Sequence, residues 1–522
     1  MSKAWKILAL LLAITALVWL TTMWRWQSAQ TDPSSADLVL KLVALPVILT
    51  ATLVGAVWAI TRLRTYATAP TIVPAAAATP VNTAVNSTGS ATVNSTVNER
   101  NTHFRLLGSA VQIRAGRNWS SAQSSMASGE CKPELDAQLK DDDGVAMFTA
   151  PMPDLATDRL ADALLGLSAS LAQAKPEIWA GYEAPTEVLR ALTLLDMAAS
   201  AMQASVEAQW PTLSALPPSP RNNNAVTPSL PPSVSIRVAI PARWSPQSQQ
   251  LAGAWLEKLF DPSIEAGLKA AGQSRAMAHN TRPAVQLHLH AVDSGEAFWL
   301  LTDQQLLQWQ RDGEAGLLWV LAADSLVSES DTAAMAATQE LFSGRNQRGR
   351  VPGEGAAALL LASPAWLAPL DAEPPQAHLH RANVMRRDKS ADASGRVGPQ
   401  TVLQAATDAL QASGWQPAQI EHLTTDADHR ASRTGEVYEA LLDLLPDLDT
   451  GEQALRLGLG CGDLGVARLL ACVALAASQV QESQAPGLVL GAFPAFERFA
   501  VVVAPPAAHP DTAVAAPAQP SA

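Results

Sequence analysis

The chain has 522 residues, 48% of them hydrophobic and 16% charged, with a formal net charge of −12 and a mean hydropathy just above zero. A sequence this apolar is not intrinsically disordered, and three cysteines in such a length make no disulfide framework. The acidic balance, with no cluster or stripe of Lys and Arg, excludes a nucleic-acid partner, whose phosphates need clustered cations.

The apolar residues are unevenly spread. Residues 7–24 (ILALLLAITALVWLTTMW) carry no charge and have the length that a helix needs to cross a hydrocarbon core. A second span is predicted over 38–60, interrupted only by Lys41 and Pro46, which are tolerated near a span end or against a neighbouring helix. Trp19, Trp24 and Trp26 suit an interfacial belt. A cleaved signal peptide is the competing reading of the first segment, but no small-x-small site follows it and a second span does. Lys3 and Lys6 precede the first span and Arg62 and Arg64 follow the second. Residues 1–66 therefore read as a transmembrane helical hairpin in a bacterial inner membrane, with both ends cytoplasmic. The remainder then lies in a reducing compartment, where unpaired Cys131, Cys461 and Cys472 are ordinary.

Residues 67–101 are rich in Ala, Pro, Thr, Asn and Ser without a usable period, the composition of a flexible linker. Its Asn86 and Asn94 sequons have no glycosylation to receive on the cytoplasmic side. Beyond it, helical and strand patterns alternate, which predicts an α/β architecture. Strands are expected at 104–113, 234–240, 285–291 and 316–322, with helices at 155–174, 186–206 and 245–260. The stretch 214–233 (SALPPSPRNNNAVTPSLPPS) breaks this series as a Pro-rich insertion or boundary. Further on, helices are expected at 400–413, 434–445 and 464–480, and strands at 420–423, 455–459, 487–490 and 498–504. Strands separated by helices imply a largely parallel sheet covered on both faces. Residues 509–522 form a low-complexity tail, expected to be disordered.

Six segments follow one another in a telling order: LWVLAADS (318–325), VPGEGAAALLLAS (351–363), AHLHRANVMRRDKSADA (377–393), VLQAATDALQASGWQPAQIEHLTTDADHRASRTGEVYEAL (402–441), LRLGLGCGDLGVARLLACVALA (455–476) and GLVLGAFPAFERFAVVVAP (487–505). In order and motif they resemble the β-ketoacyl synthase family of the thiolase-like superfamily. In GEGAAALLLA, Gly353 and Gly355 allow backbones to approach closely where a buried strand begins. The resemblance covers 318–505 by motif and 102–317 by arrangement. It implies a layered fold of two pseudo-repeated halves, 102–317 and 318–508, and a homodimer.

It also implies a site, and there the sequence departs from the family. That chemistry needs a nucleophilic Cys at a helix N-terminus, where the dipole lowers its pKa, and two His, or His and Asn, to stabilise an oxyanion. At the matching positions stand Ser294 (AVDSGEAF), Asp426 (TTDADHR) and Asp463 (GCGDLG). Two ionised carboxylates facing a developing oxyanion would oppose it. Ser294 can be read as a nucleophile with His288 or His290 as base, or as a cap of the next helix. His288 with His290 and His378 with His380 each place two imidazoles on one side of a strand, as a zinc pair would, but no Cys or carboxylate pattern completes either set, so neither metal nor cofactor is expected. His422 and His429 flank Asp426 and would supply the missing imidazole if the register were shifted. Cys461 and Cys472 read as core.

Two functions follow. One is a membrane-anchored, non-catalytic thiolase-like scaffold. Residues 462–476 and the closing strand also resemble, over about the last 50 residues, the adaptor proteins that accompany type VI secretion lipase effectors. The other is an acyltransferase or thioesterase acting on acyl-carrier-protein or coenzyme A thioesters.

Overall fold

The computed structural model describes residues 103–141, 144–216, 232–274, 283–366 and 376–506. The expected hairpin (7–24 and 38–60), the linker 67–101, most of the insertion 214–233 and the tail 509–522 lie outside the described residues. Among the described residues no helix is long and apolar enough to cross a membrane.

In the first half the chain runs through strand β1 (His103–Ile113), helix α1 (Trp119–Ala127), the small antiparallel pair β2 (Glu134–Lys140) and β3 (Ala146–Thr149), then helices α2 (Asp158–Ala174) and α3 (Thr186–Glu207). It continues with β4 (Ser233–Pro241), α4 (Pro246–Ala270), β5 (Val285–Val292), α5 (Gly295–Asp312), β6 (Gly316–Ser325), α6 (Glu329–Ala337) and β7 (Glu354–Ala362). The second half contains β8 (Ala377–His380), β9 (Asn383–Arg386), α7 (Gln400–Ser413), β10 (His422–Thr425), α8 (Ala431–Leu444), β11 (Ala454–Arg456), α9 (Arg468–Ser483), β12 (Gly487–Gly491) and β13 (Glu497–Ala504).

The large sheet has the order β11-β10-β12-β13-β8-β1-β7-β6-β4-β5. Read outward from the β1/β8 seam, the two sides are β1-β7-β6-β4-β5 and β8-β13-β12-β10-β11, and their pairing directions match. β4 is parallel to β5 and β6, as β10 is to β11 and β12. β6 pairs antiparallel with β7, as β12 does with β13. The seam joins His103 to His380 in antiparallel register. The chain therefore contains one supersecondary unit twice, with α3, α4 and α5 of the first half answering to α7, α8 and α9 of the second.

Alternation along the strands sets the layers, because successive side chains point to opposite faces. Leu317, Trp319 and Leu321 of β6 pack outward with α3 and α4, while Leu318, Val320 and Ala322 pack inward with α5 and α9. On β13, Val501 and Val503 join that same inner cluster, and Ala500 and Val502 pack outward with α7 and α8. The result is helix, sheet, helix pair, sheet, helix. The inner helix α9 is buried around most of its circumference, which explains why its sequence is apolar on all sides.

Several sequence expectations change in detail. The sheet is mixed, because each half closes with an antiparallel hairpin, β6-β7 or β12-β13. The strand expected at 455–459 stops at Arg456, and Leu457–Cys461 is helical. The strand expected at 420–423 is displaced to His422–Thr425. The helix expected at 245–260 continues through Pro262 to Ala270. The close approach assigned to Gly353 is present: a Cβ there would lie 2.0 Å from the Cys461 carbonyl oxygen.

Trp319 is fully buried in central strand β6, edge-on to Phe260 at 5.0 Å between ring centroids. Trp319→Ala is expected to cost about 3–5 kcal/mol, read as a lower denaturation midpoint. Leu442→Ala, at a side chain 73% exposed, should leave that midpoint within about 0.5 kcal/mol of the parent.

Candidate functional site

The three positions singled out from the sequence meet where the N-termini of α5 and α9 approach each other. Ser294 is the N-cap of α5, and its Oγ accepts from the Ala297 N–H at 3.2 Å. A Cβ on Gly295 would meet the Val466 carbonyl at 3.1 Å and Leu469 Cβ at 3.2 Å, so the two helix starts are in contact. Asp426 follows the end of β10, and Asp463 lies in the turn leading to α9.

What joins them is a residue the sequence reading passed over. Arg468, the first residue of α9 and 5% exposed, spreads its guanidinium across three carboxylates. Nε donates to Asp426 Oδ2 at 3.1 Å, Nη1 to Asp463 Oδ1 at 3.2 Å, and Nη2 to Glu296 Oε1 and Oε2 at 3.1 and 3.3 Å. Its plane sits 4.4 Å from the centroid of the Phe493 ring, which also carries Arg430 at 4.5 Å. Asp426 Oδ1 accepts from the Ala492 and Phe493 N–H groups at 2.6 and 3.1 Å, fixing the segment between β12 and β13.

A second buried set adjoins the first. Arg243 donates to both oxygens of Asp324 at 3.0 and 2.7 Å and to Asp331 at 2.7 Å. Asp324 Oδ2 also accepts from the Val466 N–H at 3.0 Å, so a carboxylate at the end of β6 holds the start of the second half's inner helix. Arg350 donates to Asp463 Oδ2 at 2.6 Å.

The carboxylates on Arg468 differ in acidity for a visible reason. Burial raises Asp426, and the attraction of Arg468 is partly cancelled by nearby Glu296. Asp463 is equally buried, but Arg350 and Arg468 together, with the Gly465 N–H, hold its carboxyl below the usual carboxylate range.

Two clefts open on this centre. One of about 330 Å³ is bounded by Arg243, Ser294, Asp324, Arg350 and Arg468, and one of about 540 Å³ by Ser294, Arg348, Arg430, Arg433 and Phe493. Neither is lined by a histidine or cysteine. The more voluminous cleft, about 920 Å³, lies between α2, α3 and α4 and contains none of the three positions. His429 packs edge-on to Phe342 at 4.7 Å, and His422 edge-on to Trp119 at 5.7 Å, so neither occupies the place of Asp426. The rings of His288 and His290 are 6.3 Å apart, and among the described residues no group of three or more His, Cys, Asp or Glu is placed to hold a metal. Chemically, neither cleft beside the Ser294 hydroxyl is lined by an imidazole, and each of the three Arg468 nitrogens already donates to a carboxylate.

The signals for the missed residues were present. Arg468 is the one charge in the apolar run 464–477, and Glu296 stands two residues after the cap. Buried charges of this type persist only when paired.

No protein-family model matches the chain, and no curated protein matches it. Solved structures do. A β-ketoacyl synthase from Burkholderia phymatum is 11% identical over 77% of this chain and 99% of its own, with a TM-score of 0.47. The ishigamide ketosynthase/chain length factor is 16% identical over 77% and 99%, with a TM-score of 0.44. A type II polyketide ketosynthase in complex with its acyl-carrier protein is 13% identical over 77% and 100%, with a TM-score of 0.46.

Arg468→Ala is expected to cost about 3–5 kcal/mol by leaving buried Glu296 and Asp426 without their counter-charge and Asp463 with Arg350 alone, measured by urea unfolding. Arg468→Lys should fall between that variant and the parent, because an ammonium supplies charge without the fork. Asp463→Asn tests the acidity difference. Because the Asp463 carboxyl is held low, its contribution is complete above the unfolded value of about 4 and disappears as the pH falls through the lower folded value. The stability gap between parent and variant should therefore be widest near neutrality and narrow below about pH 4. Strand and helix units repeated in the two halves, with the site where the two inner helices start, give this chain the mixed, layered α/β fold of two repeated halves that the sequence resemblance implies.

Proposed function

We propose that this protein is a thiolase-like scaffold that binds a partner and performs no acyl condensation, anchored in a membrane by the hairpin read over 7–24 and 38–60. The observation that carries the reading is the Arg468 centre. Where the family resemblance calls for a thiol and two imidazole or amide donors around an open acyl site, this chain places one buried arginine paired with Glu296, Asp426 and Asp463. An oxyanion forming there would meet three carboxylates and a guanidinium whose three nitrogens already donate to them. The location at the bacterial inner membrane with the soluble part cytoplasmic, the homodimer, and a role as adaptor for a secreted effector belong to the same proposal. They rest on the basic residues at the span ends and on the resemblances.

The alternative keeps acyl chemistry, with acyl carrier protein or coenzyme A thioesters as substrates and Ser294 as acceptor. That hydroxyl already caps α5 and has no imidazole lining its clefts, which favours the scaffold. The two are separated by incubating the purified full chain with acetyl-coenzyme A, malonyl-coenzyme A and an acylated carrier protein, then measuring intact mass and thiol release. The scaffold reading expects an unmodified chain and no thiol release above the uncatalysed background. An acyl adduct that Ser294→Ala abolishes overturns it.

A further inference from the structure

Cys131 and Cys461, 330 residues apart in sequence, meet inside the central layer with their sulfur atoms 3.9 Å apart. Cys131 is tied to the end of α1, its N–H donating to the Ser125 carbonyl at 3.0 Å. Cys461 ends the helical stretch Leu457–Cys461, two residues before Asp463. The approach extends to the backbone. A Cβ on Gly460 would lie 2.9 Å from Cys131 Sγ and 3.1 Å from its carbonyl oxygen. The gap that remains to the roughly 2.05 Å of an S–S bond is about 2 Å.

The pair is chemically unequal. The contact with Cys461 lowers the Cys131 thiol against the opposing effect of burial, and Arg114 adds to the lowering. The same contact, together with burial, pushes Cys461 well up. Cys131 is 6% exposed, between the exposed residues Glu130 and Lys132, whereas Cys461 is completely covered. A sulfur next to the surface, backed by a fully shielded one in contact with it, is the arrangement of a reacting thiol and a resolving thiol.

We propose that Cys131 and Cys461 are a peroxide-responsive pair that closes to a disulfide across the two halves of the fold. The Cys131 thiolate attacks one oxygen of hydrogen peroxide. The O–O bond breaks, a sulfenic acid forms on Cys131, and the departing hydroxide takes up a proton as water. Cys461 then gives up its proton and attacks the Cys131 sulfur. The S–O bond breaks, the S–S bond forms, and a second hydroxide leaves as water. Two thiols are oxidised by two electrons in total, and one peroxide is reduced to two waters. The link would fasten the α1 segment to the loop that carries Asp463, one of the carboxylates on Arg468.

The test uses the purified full chain, reduced, freed of reductant, exposed to hydrogen peroxide, quenched, unfolded and alkylated with N-ethylmaleimide. The number of alkylated thiols should fall from three to one, with Cys472 the residue still labelled. Peptide mapping without reductant should recover a Cys131–Cys461 cross-link about 2 Da below the sum of its reduced peptides, and dithiothreitol should restore all the thiols. In Cys461→Ser, oxidation should halt at a sulfenic acid on Cys131 that dimedone captures. If that variant fails to fold, the mapping of the parent chain decides alone. Persistence of all the thiols, Cys131 driven to sulfinic acid without a cross-link, or a cross-link to Cys472 overturns the proposal.

Discussion

Arg468 stays out of water because carboxylates from three separated parts of the chain converge on it: Glu296 from α5, Asp426 from the end of β10 and Asp463 from the turn before α9. Removing one guanidinium and three carboxylates from solvent carries a large desolvation penalty, which mutual attraction offsets only where the geometry is good. Here one planar group serves all three acids, and Asp426 and Asp463 are further held by backbone N–H groups. The inner ends of both halves are therefore positioned by one electrostatic contact. The rest of the layered packing must be compatible with it.

That dependence runs outward through both repeats. Asp324, at the end of β6, reaches across to the Val466 N–H and is itself matched by Arg243. Asp426, at the corresponding end of β10, reaches Phe493, whose ring supports two guanidinium groups. The first half thus contributes a helix cap, Ser294, where the second half contributes a cation. The two inner helix starts are therefore unequal in charge, with Glu296 on α5 and Arg468 on α9, and the two pair with each other.

The fold was largely legible because its physical signals are local. The strands expected over 104–113 and 316–322, the latter a continuous apolar run, and the helix expected over 464–480 are all present as β1, β6 and α9. Less legible was anything decided by a distant partner. The antiparallel hairpins β6-β7 and β12-β13 make the sheet mixed, although strand and helix spacing alone predicted parallel neighbours. Leu457–Cys461 had strand-like composition, but its backbone turns helical against Gly353 and Cys131. At the site, Asp426 and Asp463 were located by comparing loops with the family pattern, while Arg468 and Glu296 escaped because that pattern assigns no role to their positions. Only folding places them opposite each other.

The seam between β1 and β8 pairs residues some 275 positions apart, and β7 returns to β1 over a similar distance. Contacts of such separation are slow to form, because loop-closure entropy is lost before the pairing rewards it. A growing chain must therefore hold β1 unpaired until most of the sequence has been made. Even then β8 waits for β13, at the far end of the described chain, to cover its other side. Until β13 arrives, an apolar strand edge lies open to pairing with other chains. Deletion of the eight residues of the last strand would thus threaten solubility well beyond what its length suggests.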